Sequence, residues 1–271
     1  MLIKIKGDKN MNPKQKSLGD RMKEYENVTN THLIHRMPIM VRIDGRAFHT
    51  FCKGMKKPYD DVFIELMNEV TKYLLDSVTD CEIAYVESDE ITLCLFPYKT
   101  YTTTPFFDGR IQKLCSILSA MATWKFNQIL SEWKQSVPFK VEEWMEKSLK
   151  KEFAEKFSDR VAMFDCRVWN LPREEVLNCL LWRQQDSKRN AILTAGQTWI
   201  GKKQIHALKT TEIIDKLKEM GIDYWEKIPK YYHYGRTFIH NSLKTDWVFD
   251  NDDDRNELNK LVNIDEIYED L

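Results

Sequence analysis

Two carboxylates stand where a pair of apolar segments end. Asp44 closes PIMVRID (Pro38–Asp44), and Asp89 follows EIAYVES (Glu82–Ser88) directly, with Glu90 beside it. If those segments are neighbouring strands, both acids point at one spot above a sheet, and like charges gathered there need a counter-ion. A pair of Mg²⁺ ions about 3.5–4 Å apart meets that need, aligning a nucleophilic oxygen with a phosphorus and neutralising the leaving group. Gly45 fits the same chemistry, because without a Cβ its carbonyl can ligate metal and its backbone can approach a phosphate. Taken singly, a strand ending in Asp-Gly is a turn, and Asp89-Glu90 is a solvated hairpin tip. The joint placement points to chemistry, since apolar strands rarely end in converging, uncompensated acids.

Other polar groups cluster nearby in sequence. Gly45, Arg46, Ala47, Phe48 and His49 offer successive N–H groups, a cradle for a triphosphate, with Arg42, Lys53, Lys56 and Lys57 around it. Arg42 and Asp44 share a strand face, so Arg42 can also serve the acids as a structural partner. Arg110 and Lys113 share a face at the expected start of a helix, either as solvated side chains or as a clamp on phosphate at the helix N-terminus. The stretch WRQQDSKRN (Trp182–Asn190) places Arg183, Asp186 and Asn190 on one side of a helix. Its donors Arg183, Lys188, Arg189 and Asn190 suit either a solvated face or nucleic-acid contacts. No GxxxxGK[ST] loop and no GxGxxG turn is present, which argues against a P-loop or a dinucleotide fold.

The elements that must position these residues are legible from periodicity. Ser17 caps a short helix, residues 60–77 repeat at helical period, and a helix is expected over 110–135. EIAYVES and ITLCLF (Ile91–Phe96) form a hairpin, VAMFDCRVW (Val161–Trp169) is a strand halted by Pro172, and GRTFIHN is a last strand-like piece. Residues 38–169 thus spell β-α-β-β-α-β, with an extra helical stretch near 139–157, the order of split βαβ, ferredoxin-like sheets. In that order the strands ending at Asp44 and beginning after Asp89 lie side by side. The expected class is α+β: an antiparallel sheet with flanking helices in residues 13–170, and a helical extension with a short strand and an acidic tail in 171–271.

The 271 residues carry 41 basic and 42 acidic side chains, so polyanion binding has to come from local asymmetry. Residues 1–60 hold 13 basic against 6 acidic groups, and residues 246–271 hold 2 against 10. The tail acids Asp252, Asp253 and Asp254 read as solvated surface, and His32 with His35 as a surface pair. The longest stretch without charge, Asn190 to Gly201, is too short to span a bilayer, and the Lys-rich N-terminus lacks an apolar core. Six cysteines without a CxxC pair read as free thiols in a reducing compartment. A cytoplasmic protein is expected, with Met11 an alternative start.

RIDGRAFHTF, KKPYDD, ESDE, FDCRVW and WRQQD, in this order, resemble the tRNA-His guanylyltransferase superfamily from about residue 17 to 242. The resemblance implies a polymerase-palm-like catalytic domain and reverse polymerisation, in which nucleotides join the 5′ end of an RNA. It implies that Asp44, the Gly45 carbonyl and Asp89 hold two Mg²⁺ ions with Glu90 in support. Gly45–His49 and Ser88 would bind the nucleotide, and Lys57, Arg110 and Lys113 the triphosphates. ATP, GTP and other NTPs are then substrates, tRNA is the partner, and relatives assemble as homotetramers. One departure matters: where G-adding members carry a HINNLYN-type segment, this chain reads SKRNAIL, with Lys188 in place of His and only Asn190 retained. That pattern is similar to the Thg1-like branch, which repairs 5′-truncated tRNAs by templated 3′→5′ addition. Addition of G to tRNA-His and, more distantly, a non-catalytic nucleotide- or RNA-binding module are the alternatives.

Overall fold

The computed structural model describes residues 16–135, 144–239 and 242–263; the possible start at Met11 and the last residues of the acidic tail lie outside them. Strand β1 (Ile39–Gly45) alternates strictly, sending Ile39, Val41 and Ile43 to one face and Met40, Arg42 and Asp44 to the other. Strands β2 (Cys81–Glu87) and β3 (Glu90–Leu95) are joined by Ser88-Asp89, with Ser88 at φ 45° turning the chain. Strand β4 (Phe164–Asn170) pairs with the other edge of β1, and β5 (Arg236–Ile239) and β6 (Ser242–Lys244) follow β2. The result is one six-stranded antiparallel sheet in the order β4-β1-β3-β2-β5-β6. As the β-α-β-β-α-β reading requires, β1 and β3 are neighbours.

Apolar side chains cover the sheet on both faces. On one, Ile39, Val41 and Ile43 pack against α3 (Asp61–Ser77), α4 (Ile111–Gln135) and α5 (Trp144–Phe157) through Leu66, Val70, Leu118, Phe126 and Phe157. On the other, Met40, Ile83, Tyr85 and Cys94 pack against α6 (Arg173–Trp199) and α8 (Asp252–Val262) through Val176, Leu180, Leu258 and Val262. The far half of α6 carries a third cluster with α7 (Thr210–Glu219), built on Ile192, Ala195, Ile213 and Leu217. Residues beyond 170 therefore add two strands to the same sheet and close its second face. Helix α1 (Leu18–Asn27), capped by Ser17, buries no residue.

Local deviations from the periodicity have local causes. The strand expected from Val161 starts only at Phe164, because Ala162 exchanges backbone hydrogen bonds with the Asn127 side chain and the Met163 carbonyl accepts from Arg46 N–H (2.8 Å). The loop after Gly45 holds a short helix, α2 (Phe48–Phe51), whose two phenylalanines bury against Phe126. The helix expected near 139–157 is seen from Trp144, and the strand GRTFIHN from Arg236 to Ile239; residues 136–143, 240 and 241 lie outside the description.

The segment between α2 and α3 is tied by one side chain. Asp60 Oδ1 accepts from the N–H groups of Val62 (3.1 Å) and Phe63 (3.4 Å) as N-cap of α3, while its Oδ2 accepts from Lys56 N–H (3.0 Å). Asp60→Ala is expected to cost about 1 kcal/mol in chemical denaturation and to make the Lys56 amide exchange faster in hydrogen-exchange measurements.

Candidate functional site

Strand register sets the electrostatics of the site. Asp165 on β4 pairs with Asp44 on β1, Asp44 pairs with Glu90 on β3, and Glu90 pairs with Glu87 on β2. Paired residues share a face, so four carboxylates stand in a row across four strands. The next row on that face carries Arg167 and Arg42, and α6 brings Arg183 down onto the acids. Arg183 is buried; its Nε donates to Glu90 (2.6 Å), and its Nη2 donates to Glu87 (3.2 Å) and to Asp186 on its own helix (2.9 Å). Arg42 Nε adds a 3.2 Å ion pair to Glu90.

The compensation is incomplete. Burial, with Asp165 second, raises the Asp44 pKa above its ordinary value. Burial lifts Asp89 to about 6, opposed by a hydrogen bond from Ser88 Oγ (2.9 Å) and reinforced by the Asp44 charge. Burial and the neighbouring Glu90 lift Glu87 to about 8. The site has room for more positive charge than the chain supplies.

Gly45 brings the hairpin tip against β1. Its N–H donates to the Asp89 carbonyl (3.2 Å), and a Cβ at this position would lie 2.7 Å from Asp89 Oδ2 and 2.6 Å from Phe48 Cγ. Any other residue would push Asp89 away. The donors at hand are hard oxygens (two carboxylates and a carbonyl), the set suited to Mg²⁺. Among the described residues no three His, Cys, Asp or Glu converge on a metal position. An ion held here would therefore keep much of its shell for water and substrate oxygens, as Mg²⁺ does in phosphate sites.

Two cavities meet at the tip. On the α6 side, Asp44, Glu87, Asp89, Glu90, Arg183, Asp186 and Asn190 line one of about 370 Å³. On the α3 side lies a cavity of about 280 Å³ with Phe48, Met55, Phe63, Ile64, Tyr232 and Arg236 in its walls, together with His49, Lys56 and Lys57. Ser88, Asp89, Thr194 and Tyr232 border both. The arrangement offers an acidic chamber for cations and phosphate oxygens beside a mixed one, whose aromatic and aliphatic walls can take a planar group and whose polar lining includes Asp60 and Asp89.

A family model described as tRNAHis guanylyltransferase, the Thg1 family, matches residues 19–172. The chain belongs to that family. It resembles a bacterial Thg1-like protein solved in complex with ATP, at 33% identity and TM-score 0.78, over 91% of this chain and 99% of that one. It likewise resembles a bacterial Thg1-like protein in complex with GTP, at 31% identity and TM-score 0.71, over the same shares. An uncharacterized protein of Acanthamoeba polyphaga mimivirus is 28% identical over 85% of this chain and 80% of its own length. Arabidopsis thaliana tRNA(His) guanylyltransferase 1 is 32% identical over 56% of this chain but only 23% of that protein. As a Thg1 family member the protein is an enzyme, a nucleotidyltransferase acting on tRNA.

The residues singled out in this Thg1 family sequence fall into three groups. Asp44, Gly45, Ser88, Asp89, Glu90 and Asn190 come together around the acidic chamber, with His49, Lys57 and the Phe48 ring across the tip. In the 45–49 cradle, the Gly45 and Arg46 N–H groups are already bonded, to Asp89 and Met163, so Ala47, Phe48 and His49 are the donors left. Ala47 is held left-handed at φ 56°. Arg110 and Lys113 are not brought to the acids. Thr123 of α4 touches Phe164 beside Gly45, and Arg110 lies thirteen residues back, roughly 20 Å along the helix, bridged to His32. Arg183 is buried and bonded to three carboxylates, which corrects the solvent-facing reading; Lys188 and Arg189 are exposed. Asp165, Glu87 and Arg236 were not singled out by sequence, although register with Asp44 would have found the first.

Both protonation and charge removal test this picture. Glu87 and Asp89 bind protons more tightly folded than unfolded, so metal-free protein is expected to gain stability as pH falls from about 8 towards 6. In thermal melts Glu87→Gln should flatten that slope. Arg183→Leu leaves Glu87 and Glu90 buried without their cation and should lose about 3–5 kcal/mol in denaturant titrations.

Proposed function

We propose that this protein is a template-dependent 3′→5′ nucleotidyltransferase that adds nucleotides to the 5′ end of tRNA, restoring truncated ends. The observation that carries the reading is the convergence of Asp44, Asp89 and the Gly45 backbone on one open acidic chamber, next to a cavity with aromatic side chains in its walls. The four-strand core in the order β4-β1-β3-β2 supports the palm-like description. The ATP and GTP complexes of the bacterial Thg1-like relatives support nucleotide substrates.

In this reading Asp44, the Gly45 carbonyl and Asp89 hold Mg²⁺, and Glu90 supports them through its bonds to Arg183. Bound there, Mg²⁺ lowers the pKa of an attacking hydroxyl and screens phosphate charge. The chain orients the reactants. Gly45 lets a phosphate approach the backbone, while the free N–H groups of Ala47, Phe48 and His49, with Arg46, Lys57 and the Ser88 hydroxyl, take its remaining oxygens. A tRNA 5′-monophosphate attacks the α-phosphorus of ATP and releases pyrophosphate, giving an adenylylated end. The 3′-hydroxyl of an incoming NTP then attacks that end and releases AMP. A 5′-triphosphate is attacked directly, with pyrophosphate leaving. Pairing with the opposite tRNA strand selects the nucleotide, and Lys188, Arg189 and Asn190 on the exposed side of α6 contact the tRNA.

Arg110 and Lys113 grip phosphates of the RNA at a distance from the acids, in place of the reacting triphosphate. The homotetramer belongs to the same proposal and is supported by α1, whose Leu18, Met22 and Tyr25 are at least half exposed. The names of the eukaryotic relatives favour a second reading, addition of G to tRNA-His.

Labelled tRNA lacking its first 5′ nucleotide, incubated with ATP, NTPs and Mg²⁺, should lengthen at the 5′ end. Asp89→Asn should reduce the rate by more than about a hundredfold with an unchanged melting curve. No lengthening, or lengthening that survives in Asp89→Asn, overturns the proposal; extension confined to tRNA-His by a single G selects the second reading.

A further inference from the structure

Two buried arginines flank the hairpin tip, one on each face of the sheet, and only one is saturated. Arg236 is 2% exposed at the start of β5, opposite Val86 and on the α3 side. Its Nε donates to Asn68 Oδ1 (2.8 Å) and its Nη1 reaches the Tyr231 carbonyl at 3.5 Å. Its Nη2 has no hydrogen-bond partner among the described residues. Among the described residues no ion pair holds the guanidinium there; burial, only partly opposed by Tyr85 and the Glu87 charge, pulls its pKa down to about 10. A buried cation with an unused donor is unfavourable unless an arriving group completes it. The position is fixed by Gly235 at φ 76°, where a Cβ would fall 2.6 Å from Tyr85 Cζ.

Arg236 lines the cavity of about 280 Å³ together with Phe48, Phe63, Ile64 and Tyr232. Those walls suit a flat ring. The cations suited to phosphate, Lys56 and Lys57, are exposed, whereas Arg236 is buried. We propose that Arg236 reads the acceptor edge of a nucleobase seated in this cavity and thereby adds a binding preference for guanine to the selection that template pairing makes. Guanine presents O6 and N7 side by side, matching two donors of one guanidinium, whereas adenine sets a donor amino group beside N7. The inference rests on the nucleotide reading given above and assigns specificity to one side chain.

The test is calorimetric titration of the full chain, with Mg²⁺, by GTP, inosine triphosphate and 2-aminopurine riboside triphosphate, which lacks O6. Wild type should bind the first two about tenfold tighter than the third. Arg236→Met should bring all three within about twofold of one another. Its melting temperature should not fall, because an uncompensated buried charge has been removed; a purely structural arginine would lower it. If the Met variant does not fold, Arg236→Lys, which keeps the charge without the planar fork, should lose the discrimination instead. Equal binding of the three by wild type, or an unchanged ratio in the variant, overturns the assignment and leaves nucleotide binding standing. Binding of none overturns the nucleotide reading, and this inference with it.

Discussion

Antiparallel register forces Asp165, Asp44, Glu90 and Glu87 into one line across four strands, and the repulsion along that line governs the rest of the molecule. Such a row survives folding only if cations are brought to it. The chain supplies them from opposite directions: Arg42 and Arg167 from within the sheet and Arg183 from α6. Helix α6 therefore does more than cover apolar surface. Its Val176, Leu177 and Leu180 seat it on the sheet, and one turn further on the guanidinium reaches Glu90 and Glu87. Of the acids that line the chamber, Asp44 and Asp89 are the two that Arg183 does not touch. Structural neutralisation and an open cation position are thus two halves of one arrangement.

The hairpin tip divides the labour between the two faces of the sheet. Towards α6 the walls are acidic; towards α3 they mix aromatic and aliphatic side chains with polar ones, exposed lysines among them. Asp89 borders both cavities, and Gly45 is the residue whose missing Cβ lets Asp89 lie against β1. A bound molecule with an apolar planar end and a charged end would have to pass this point. The aromatic cluster of Phe48, Phe51, Phe126 and Phe164 fixes the loop that follows Gly45, so the chamber's geometry depends on a core that lies behind it.

Much of this was legible in sequence because alternation and strand ends are local properties. β1, the β2–β3 hairpin, α3 and α4 stand close to where periodicity places them, and from them the adjacency of Asp44 and Glu90 follows. What was not legible depends on rotation and depth. Helical spacing puts Arg183 and Asp186 on one side of a helix but does not say which side meets the sheet, so Arg183 reads as a surface donor when it is buried. Arg110 and Lys113 sit at a helix N-terminus as expected, yet Arg110 lies roughly 20 Å along the helix from the point where α4 meets β4 beside Gly45. Arg236 opens a strand only four residues long, too short for alternation to reveal that it faces inward.

The contrast between Arg183 and Arg236 separates structure from recognition on physical grounds. Both guanidinium groups are almost fully buried. Arg183 spends its donors on three carboxylates, and burial lowers its pKa less than those acids raise it, so the net shift is upward. Arg236 has a neutral amide, one long contact to a carbonyl and an unused nitrogen, and its net shift is downward. A buried charge that its own chain satisfies contributes to defining the fold. One that its chain leaves half satisfied works against the folded state until something else supplies the acceptor. Its persistence in the wall of a cavity next to Asp89 is most simply explained if that acceptor arrives with the substrate.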